Sequence, residues 1–372
     1  QTSIMPFGQI VIGPPGSGKS TYCNGAHQFL NAIGRKTIIV NLDPANEQIP
    51  YDCAINIQSL ISLDSVMQKL NLGPNGAMIY CMEYLSQHSV IEWLKNELQP
   101  YTPTHYVLFD MPGQIELYTH YSSVKQMCES LVKDCDFRLA AVNLVDAHYC
   151  SNPSNFISVL LVSLSTMINL ELPHINVLSK VDMIEHYGKL AFDIDYYTDV
   201  QDLSYLVDYL TRLQRKQRKV NYNFFKGVTD EVDEEEEENV TTKKQKVKKF
   251  DSDNESSDDD EDEDGDDEND ENNPISALDA KFTKLNQALV EVIQDFSLVS
   301  FVTLHVEDKN SIHKVLQWAD KANGYVFGAC EKNNASIMEV AMSQLEWNSE
   351  RNDFIRRNFM SHDDDEEEED GD

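Results

Sequence analysis

Nine consecutive residues near the start of the chain, Gly13–Thr21 (GPPGSGKST), have the types and spacing that bind phosphate. They match the pattern G-x-x-x-x-G-K-[ST], follow an apolar run and open a helical pattern, which is the context that this motif requires. Small residues let backbone N–H groups surround phosphate oxygens, the Lys19 ammonium reaches the β and γ oxygens, and the Ser20 hydroxyl is a ligand for Mg²⁺. We therefore predict a nucleoside triphosphate site. Its candidate residues are Gly13, Gly16, Ser17, Gly18, Lys19, Ser20 and Thr21.

A second group of candidate residues, Asp110–Gln114 (DMPGQ), follows the apolar run Tyr106–Phe109. An aspartate that leaves a buried strand beside a phosphate loop is suited to the coordination shell of Mg²⁺, and a glycine and a glutamine directly after it can respond to the γ-phosphate. D-x-P-G alone is a common turn sequence, so the pairing with the phosphate loop carries this interpretation. We predict that Asp110 is a metal ligand. We also predict that Gln114 orients the attacking water, because its amide can donate and accept hydrogen bonds.

Four residues at the end of another apolar run, Ser179–Asp182 (SKVD), are similar to the [NT]-K-x-D element that selects guanine in GTPases. The two oxygens of such an aspartate accept hydrogen bonds from guanine N1–H and the 2-amino group, a pair that adenine does not present. Ser179 departs from the usual Asn. The order of this element after the other two nevertheless favours guanine over adenine, with Ser179, Lys180 and Asp182 as candidate base-side residues.

A further carboxylate, Asp43, ends a predicted strand in the segment Asn41–Ala45 (NLDPA). Ligands of open α/β sheets bind beyond the carboxyl ends of the strands. We therefore predict that Asp43 points at the metal or at the water. The alternative is an Asx-turn at the strand end, which Pro44 favours.

The elements that must position these residues follow from the apolar pattern. Short β-branched runs alternate with longer helical patterns, which predicts an α/β fold with a doubly wound, mostly parallel sheet. The predicted strands are Gln9–Ile12, Thr37–Leu42, Tyr106–Phe109, Leu139–Val145, Ile175–Leu178 and Val299–Val306. The predicted helices are Lys19–Ile33, Leu63–Leu70, Ser89–Leu98, Ser122–Lys133, Ser154–Leu170, Ala280–Phe296 and Ser311–Ala322.

Charge is distributed unevenly along the 372 residues, which carry a formal net charge of −34. Residues 230–271 hold 23 acidic and 5 basic side chains, and residues 363–372 hold 9 acidic and no basic ones. The rest of the chain carries about −7, an ordinary value for a folded domain. Residues from about 229 to 273 have too little apolar surface to offset the entropy of ordering, and we predict that they are disordered. The basic island Lys243–Lys249 within them is either a solvated charge block or a nuclear-localisation or docking signal.

Composition also argues against several classes of protein. An acidic chain repels phosphodiester backbones, so we do not expect direct binding of nucleic acid. The longest apolar run, Phe156–Leu164, is too short to span a bilayer and contains two serines, so we expect no membrane partner. Seven cysteines without a C-x-x-C pair favour reduced thiols over a disulfide framework or a zinc site, as in cytosolic or nuclear proteins.

Taken together with Gly73–Asn75 (GPN), the segments Asn41–Ala45 and Asp110–Gln114 resemble the GPN-loop GTPase family. Residues 73–76 by themselves favour a plain β-turn. The resemblance covers about residues 5–229 and 274–330, which it implies are a single GTPase domain. It also implies a P-loop NTPase fold of the SIMIBI type, with a disordered acidic insert at 230–273 and a C-terminal extension with an acidic tail at 331–372.

The resemblance further implies GTP or GDP as ligand and Mg²⁺ as cofactor, with Ser20, Asp43 and Asp110 around the metal. In that family the GPN loop, here Gly73, Pro74 and Asn75, reaches across a dimer into the partner's site. Catalytic roles would then belong to Gln114, Asp43 and Asn75. One departure concerns Thr303–Glu307, which lies where a base-contacting loop should follow the last strand but lacks an S-A-type signature.

The resemblance also implies a biological role: assembly and nuclear import of RNA polymerase II, with polymerase III left open. Partners would be a second copy or a paralogous GPN-loop GTPase, together with polymerase subunits or assembly factors. We expect a cytoplasmic protein that shuttles to the nucleus. Two other functions stay open: a small-molecule P-loop kinase, which would need an arginine-rich lid, and an acidic histone-type chaperone with a vestigial nucleotide site.

Overall fold

The computed structural model describes residues 6–46, 48–102, 104–187, 190–200, 202–213, 274–296 and 298–325. The predicted acidic insert at 230–273 and the predicted extension at 331–372 lie outside these residues. The chain divides into two compact units, residues 204–288 and the remainder. The described parts of the smaller unit, residues 204–213 and 274–288, are helical. All candidate site residues lie in the larger unit.

Seven parallel strands form the sheet of the larger unit. They are β1 (Phe7–Ile12), β2 (Thr37–Asn41), β3 (Ile55–Asn56), β4 (Tyr106–Asp110), β5 (Arg138–Asp146), β6 (His174–Ser179) and β7 (Phe301–Leu304). Their order is β3-β2-β4-β1-β5-β6-β7, and every described pair is parallel. This confirms the predicted fold class and all six predicted strands. The two-residue strand β3 was not predicted, because it is too short to give an apolar pattern.

The helices are α1 (Lys19–Ala32), α2 (Leu63–Leu70), α3 (Pro74–Leu85), α4 (His88–Leu98), α5 (Glu116–Thr119), α6 (Ser123–Asp134), α7 (Pro153–Leu170), α8 (Ile194–Asp199), α9 (204–213), α10 (Pro274–Phe296) and α11 (Lys309–Asn323). All seven predicted helices are present, with ends that differ by a few residues. Helices α3, α5, α8 and α9 were not predicted.

Two hydrophobic clusters cover the two faces of the sheet. Along β1, Ile10 and Ile12 belong to one cluster and Val11 to the other, because successive side chains of a strand point to opposite faces. Side chains of α3, α4 and α6 complete the first cluster, and those of α1 and α11 complete the second. A strand that is covered on both sides must be apolar on both faces, which explains the nearly continuous apolar runs in the sequence.

The β-turn interpretation of residues 73–76 is wrong, because these residues begin helix α3. Gly73 is the N-cap residue, in an extended conformation, and Pro74 occupies the first turn. Proline suits this position, since its missing N–H would have had no partner within the helix and its fixed φ is helical. The amide of Ala77 then donates to the Gly73 carbonyl at 2.9 Å and closes the first helical turn.

Helix α7 is, by length and composition alone, apolar enough to cross a membrane. Eight of its 18 residues are buried within the protein, among them Phe156, Leu160 and Leu164. Its packing against α5 and α6 accounts for its apolar character as a core helix.

Candidate nucleotide-binding site

The phosphate loop begins where β1, the central strand, ends. Gly13, Gly16 and Gly18 have φ angles of 143°, 79° and 89°, which residues with a Cβ atom rarely adopt. A Cβ atom on Gly13 would also lie 2.2 Å from the carbonyl oxygen of Leu144 in β5. The glycines are therefore required both for the curvature of the loop and for its close approach to the neighbouring strand.

Lys19 lies at the start of α1 with its side chain folded back into the loop. Its Nζ donates to the carbonyl oxygens of Gly13 at 3.1 Å and Pro14 at 3.0 Å. Burial lowers the pKa of Lys19, while the negative charges of Asp110 and Asp43 act in the opposite direction. The ammonium is thus held among carbonyl oxygens at the loop, in position to meet phosphate oxygens. Thr21 follows in the first turn of α1 and is exposed.

Asp110, the last residue of β4, is 1% exposed and lies against Ser20. Its Oδ2 atom accepts hydrogen bonds from the Ser20 hydroxyl at 2.7 Å and from the Tyr51 hydroxyl at 2.7 Å. Burial raises the pKa of Asp110, and the two hydrogen bonds and the charge of Lys19 oppose this increase. The structure thus brings together two of the three predicted metal-site residues.

Asp43 follows β2 and forms the Asx-turn that we considered as the alternative. Its Oδ1 atom accepts a hydrogen bond from the amide of Ala45 at 2.9 Å, and its own amide donates to Asn41 Oδ1 at 3.1 Å. Burial raises the pKa of Asp43, while the Ala45 hydrogen bond and the Lys19 charge lower it. The turn fixes the carboxylate near Lys19, so the turn and a role at the metal or water are compatible.

Two residues at the site were missed by the sequence reasoning, Asn46 and Tyr51. Asn46 Nδ2 donates to Ser20 Oγ at 3.3 Å, and Tyr51 donates to Asp110 as described above. Both lie in the segment that links β2 to β3. No motif marks them, because a loop that returns to the sheet has no regular spacing.

Gln114 and Asn75 come from distant parts of the sequence and lie beside each other in one chain. Gln114 Nε2 donates to Asn75 Oδ1 over 3.5 Å, a long hydrogen bond. Gly113, directly before Gln114, is packed so closely against the phosphate loop that a Cβ atom there would lie 3.0 Å from Lys19 Nζ. The segment after β4 therefore contacts both the phosphate loop and the start of α3.

The base-side element follows β6. Ser179 is 2% exposed, and its hydroxyl lies 2.8 Å from the Ser17 carbonyl oxygen and 3.1 Å from that of Val145, to either of which it can donate. Lys180 donates to Asp146 Oδ2 at 2.7 Å, and this hydrogen bond raises the pKa of Lys180. Asp182 is exposed at the same edge of the sheet. Ser179 thus joins the base-side element directly to the phosphate loop.

The segment Thr303–Glu307, the candidate base-contacting loop, spans the end of β7 and the start of the loop before α11. The amide of His305 donates to Ser311 Oγ at 2.9 Å. The side chain of Val306 packs against α1, where a Cβ atom on Gly25 would lie 2.9 Å from it. The structure therefore places this loop at the carboxyl edge of the sheet, beside the helix that follows the phosphate loop.

The site has the donor chemistry for Mg²⁺ in the presence of a nucleotide. No group of three or more His, Cys, Asp or Glu residues suited to hold a metal occurs within the described ranges. Mg²⁺ does not require a group of that kind, since this ion keeps several waters and binds through one or two carboxylates and substrate phosphates. Ser20 and Asp110, which lie in hydrogen-bond contact at 2.7 Å, supply the hydroxyl and carboxylate oxygens for such a site.

This chain is similar to a family model, to curated proteins and to a solved structure. Residues 11–248 match a family model described as "conserved hypothetical ATP binding protein". GPN-loop GTPase 2 of Danio rerio is 48% identical over 91% of this chain and 87% of its own length. GPN-loop GTPase QQT1 of Arabidopsis thaliana is 42% identical over 96% of this chain and 98% of its own. Among solved structures, a GTPase in apo form from Pyrococcus abyssi is 25% identical, with a TM-score of 0.45 over 54% of this chain and 77% of that chain.

Proposed function

Because this chain belongs to the GPN-loop GTPase family, and so binds GTP and hydrolyses it to GDP and phosphate, we propose that it is a dimeric, nucleotide-dependent assembly factor. The observation that supports the nucleotide dependence most directly is the meeting of three elements at one edge of the sheet. Ser20 of the phosphate loop donates to Asp110 at the end of β4, and the Ser17 carbonyl of the same loop accepts from Ser179 at the end of β6. A nucleotide bound there would contact all three elements at once.

The proposed hydrolysis uses groups that the fold already holds in place. Water attacks the γ-phosphorus, the bond to the β–γ bridging oxygen breaks, and GDP leaves. Lys19 and the loop amides stabilise the charge that develops on the phosphate oxygens. Gln114 would orient the water, since its amide can accept a hydrogen bond from the water and donate one to the γ-phosphate.

The cofactor that we propose is Mg²⁺. Ser20 and Asp110 would hold it, together with Asp43, whose carboxylate lies near Lys19. When bound, this ion neutralises charge on the β- and γ-phosphate oxygens. The chain's own contribution is to position the two carboxylates beside the phosphate loop. Burial raises the pKa of both Asp43 and Asp110, and the nearby Lys19 ammonium opposes that increase.

We propose that Asn75 acts in the site of a partner protomer, a second copy or a paralogue. Its position supports this proposal: Asn75 is exposed in the first turn of α3 and lies beside its own Gln114. Large apolar side chains near the loop are also exposed, namely Leu70, Leu72 and Tyr80. An uncharged amide supplied by a partner can hydrogen-bond a phosphate oxygen or the water, where other GTPases use an arginine.

The proposed client is RNA polymerase II, either its subunits or its assembly factors, with GTP turnover changing the dimer and hence its grip on the client. We propose that the protein is cytoplasmic and shuttles to the nucleus. Family membership supports these roles. The acidic insert is the competing binding element, because its charge alone attracts basic partners.

The test is a pull-down from cell extract with the full chain loaded with GDP or with a non-hydrolysable GTP analogue, read by mass spectrometry. The matched control lacks residues 230–272. Polymerase subunits or paralogous GTPases that are retained in one nucleotide state and survive the deletion support the proposal. Partners that ignore the nucleotide and disappear with the insert would contradict it, since binding would then belong to the acidic segment.

A further inference from the structure

Two side chains donate to a single carboxylate oxygen in the site, Asp110 Oδ2. The hydroxyl groups of Ser20 and Tyr51 both donate to it at 2.7 Å. Tyr51 arrives from the segment between β2 and β3, and its side chain is largely buried, with the whole residue 8% exposed. A tyrosine that only lies near a phosphate loop would need no explanation. Tyr51, however, donates a hydrogen bond to the aspartate of the proposed metal site, and that contact calls for one.

The two oxygens of Asp110 are in opposite situations. Oδ2 accepts two short hydrogen bonds, whereas Oδ1 is buried and has no partner among the described residues. Leaving a buried acceptor unpaired is costly, and more so when it carries charge. The carboxylate is therefore held by hydrogen bonds through Oδ2 alone, and loss of either donor would leave its rotation less restricted.

Tyr51 is suited to orient the carboxylate and unsuited to bind the metal itself. A tyrosine phenol keeps its proton at neutral pH, and the hydroxyl of Tyr51 lies 2.7 Å from Asp110 Oδ2, an acceptor. A protonated phenol has one hydrogen to donate, and here that hydrogen points to Asp110.

We propose that Tyr51 is a positioning residue: its hydroxyl fixes the rotation of the Asp110 carboxylate, so that Oδ2 holds the Ser20 hydroxyl in place as a ligand for Mg²⁺. This inference rests on the magnesium site proposed above. The Ser20 hydroxyl hydrogen is directed to Asp110, and Asn46 donates to the same Ser20 oxygen, which leaves one lone pair of that oxygen for the ion. Without Tyr51, the carboxylate could rotate, and the Ser20 hydroxyl would be held less firmly.

The test is the full-length Tyr51→Phe variant, which removes one oxygen atom and leaves the ring. Release of a fluorescent GDP analogue is measured as free Mg²⁺ is varied, and affinity for the same analogue is measured in EDTA. We expect the Mg²⁺ midpoint to rise about tenfold, as for loss of one hydrogen bond to a charged group. The affinity in EDTA should stay within about twofold, because the hydroxyl acts through the metal ligand.

The matched control is Tyr106→Phe, at the other end of β4. The Tyr106 hydroxyl bonds Asn323 at 2.8 Å, far from the loop in the strand register, so its loss should leave the Mg²⁺ midpoint unchanged. A double-mutant cycle adds a second readout. If Tyr51 acts through Asp110, then Tyr51→Phe should have little further effect on the midpoint in an Asp110→Asn background.

The outcomes separate this inference from the proposal on which it rests. If nucleotide release from the unmodified protein does not respond to Mg²⁺, the magnesium site itself is wrong and the inference falls with it. If the unmodified protein responds and Tyr51→Phe has the same midpoint, only the role of Tyr51 is refuted. An equal loss of affinity in EDTA and in Mg²⁺ would likewise refute it, since Tyr51 would then support the fold of the nucleotide site as a whole.

Discussion

Gly113→Ala tests how closely the segment after β4 packs on the phosphate loop. A Cβ atom at position 113 would lie 3.0 Å from Lys19 Nζ, 3.1 Å from Pro15 Cα and 3.2 Å from Pro15 N. Favourable separations are about 3.5–4.0 Å, so the neighbours would have to move by about 0.5 Å. Gly113 does not have a positive φ angle, so alanine would be tolerated by the backbone and the effect would be steric.

The cost of this overpacking should fall on nucleotide binding. The Lys19 side chain can swing aside, but Pro15 contributes backbone atoms, and moving them reshapes the phosphate loop. Inserted methyl groups in packed regions cost about 1–3 kcal/mol. If the loop carries that cost, the affinity for GTP should fall by about tenfold to a hundredfold, at about 1.4 kcal/mol per factor of ten. Titration with a fluorescent GTP analogue would measure the loss, and a thermal melt would show whether the protein remains folded.

Gly76→Ala is the matched control for this substitution. A Cβ atom at position 76 would lie no closer than 3.9 Å to any atom, and both of its nearest neighbours belong to Leu72. Gly76 lies within α3, where alanine is favoured over glycine by about 0.5–1 kcal/mol, so we expect a slightly more stable protein with unchanged GTP affinity. A GTP affinity of Gly113→Ala within about twofold of the unmodified protein would refute the steric argument.

Three further predictions concern single residues. Lys19→Ala should abolish nucleotide binding, because it removes the ammonium that meets the phosphates; unchanged GTP affinity in a titration would show that the site is misplaced. Asn75→Ala should slow hydrolysis and leave GDP affinity nearly intact, as measured by phosphate release and by GDP titration; an equal loss of both would make Asn75 structural. Burial lowers the pKa of His174 to about 4. A histidine in the unfolded chain has a pKa of about 6.5, so between these two pKa values the unfolded state binds more protons than the folded state. The free energy of unfolding should therefore fall as the pH falls from about 6.5 towards 4, by up to about 1.4 kcal/mol per unit. Urea denaturation across that range should show a shallower pH dependence for His174→Gln, and an unchanged slope would exclude His174 as the cause.

Most of the phosphate site could be predicted from the sequence because its parts are contiguous. Gly13–Thr21 carries the loop, the lysine and the metal-side hydroxyl within nine residues, and the apolar run before it fixes the strand that positions them. Asp110 could be placed for the same reason, since it ends a buried strand. A parallel sheet then brings these ends together, so one fold prediction located residues almost a hundred positions apart.

Tyr51 and Asn46 could not be predicted, because their positions at the site depend on the course of the loop between β2 and β3. The segment between β2 and β3 returns to the sheet through a strand of only two residues, which gives no periodic pattern. Helix α3 was missed for a different reason. Its Gly-Pro-Asn-Gly start satisfies the preferences of a β-turn as well as those of a helix N-terminus, and only the packing of Met78 and Met82 into the core decides between them.

The departure at Ser179 has a physical explanation in the same geometry. A base-side element normally begins with an amide side chain, yet the serine hydroxyl here reaches the Ser17 carbonyl oxygen at 2.8 Å. The phosphate loop comes close enough for this because Gly13 lets it lie against Leu144 in β5, the strand between β1 and β6. A serine hydroxyl is therefore long enough to join the end of β6 to the phosphate loop in this chain.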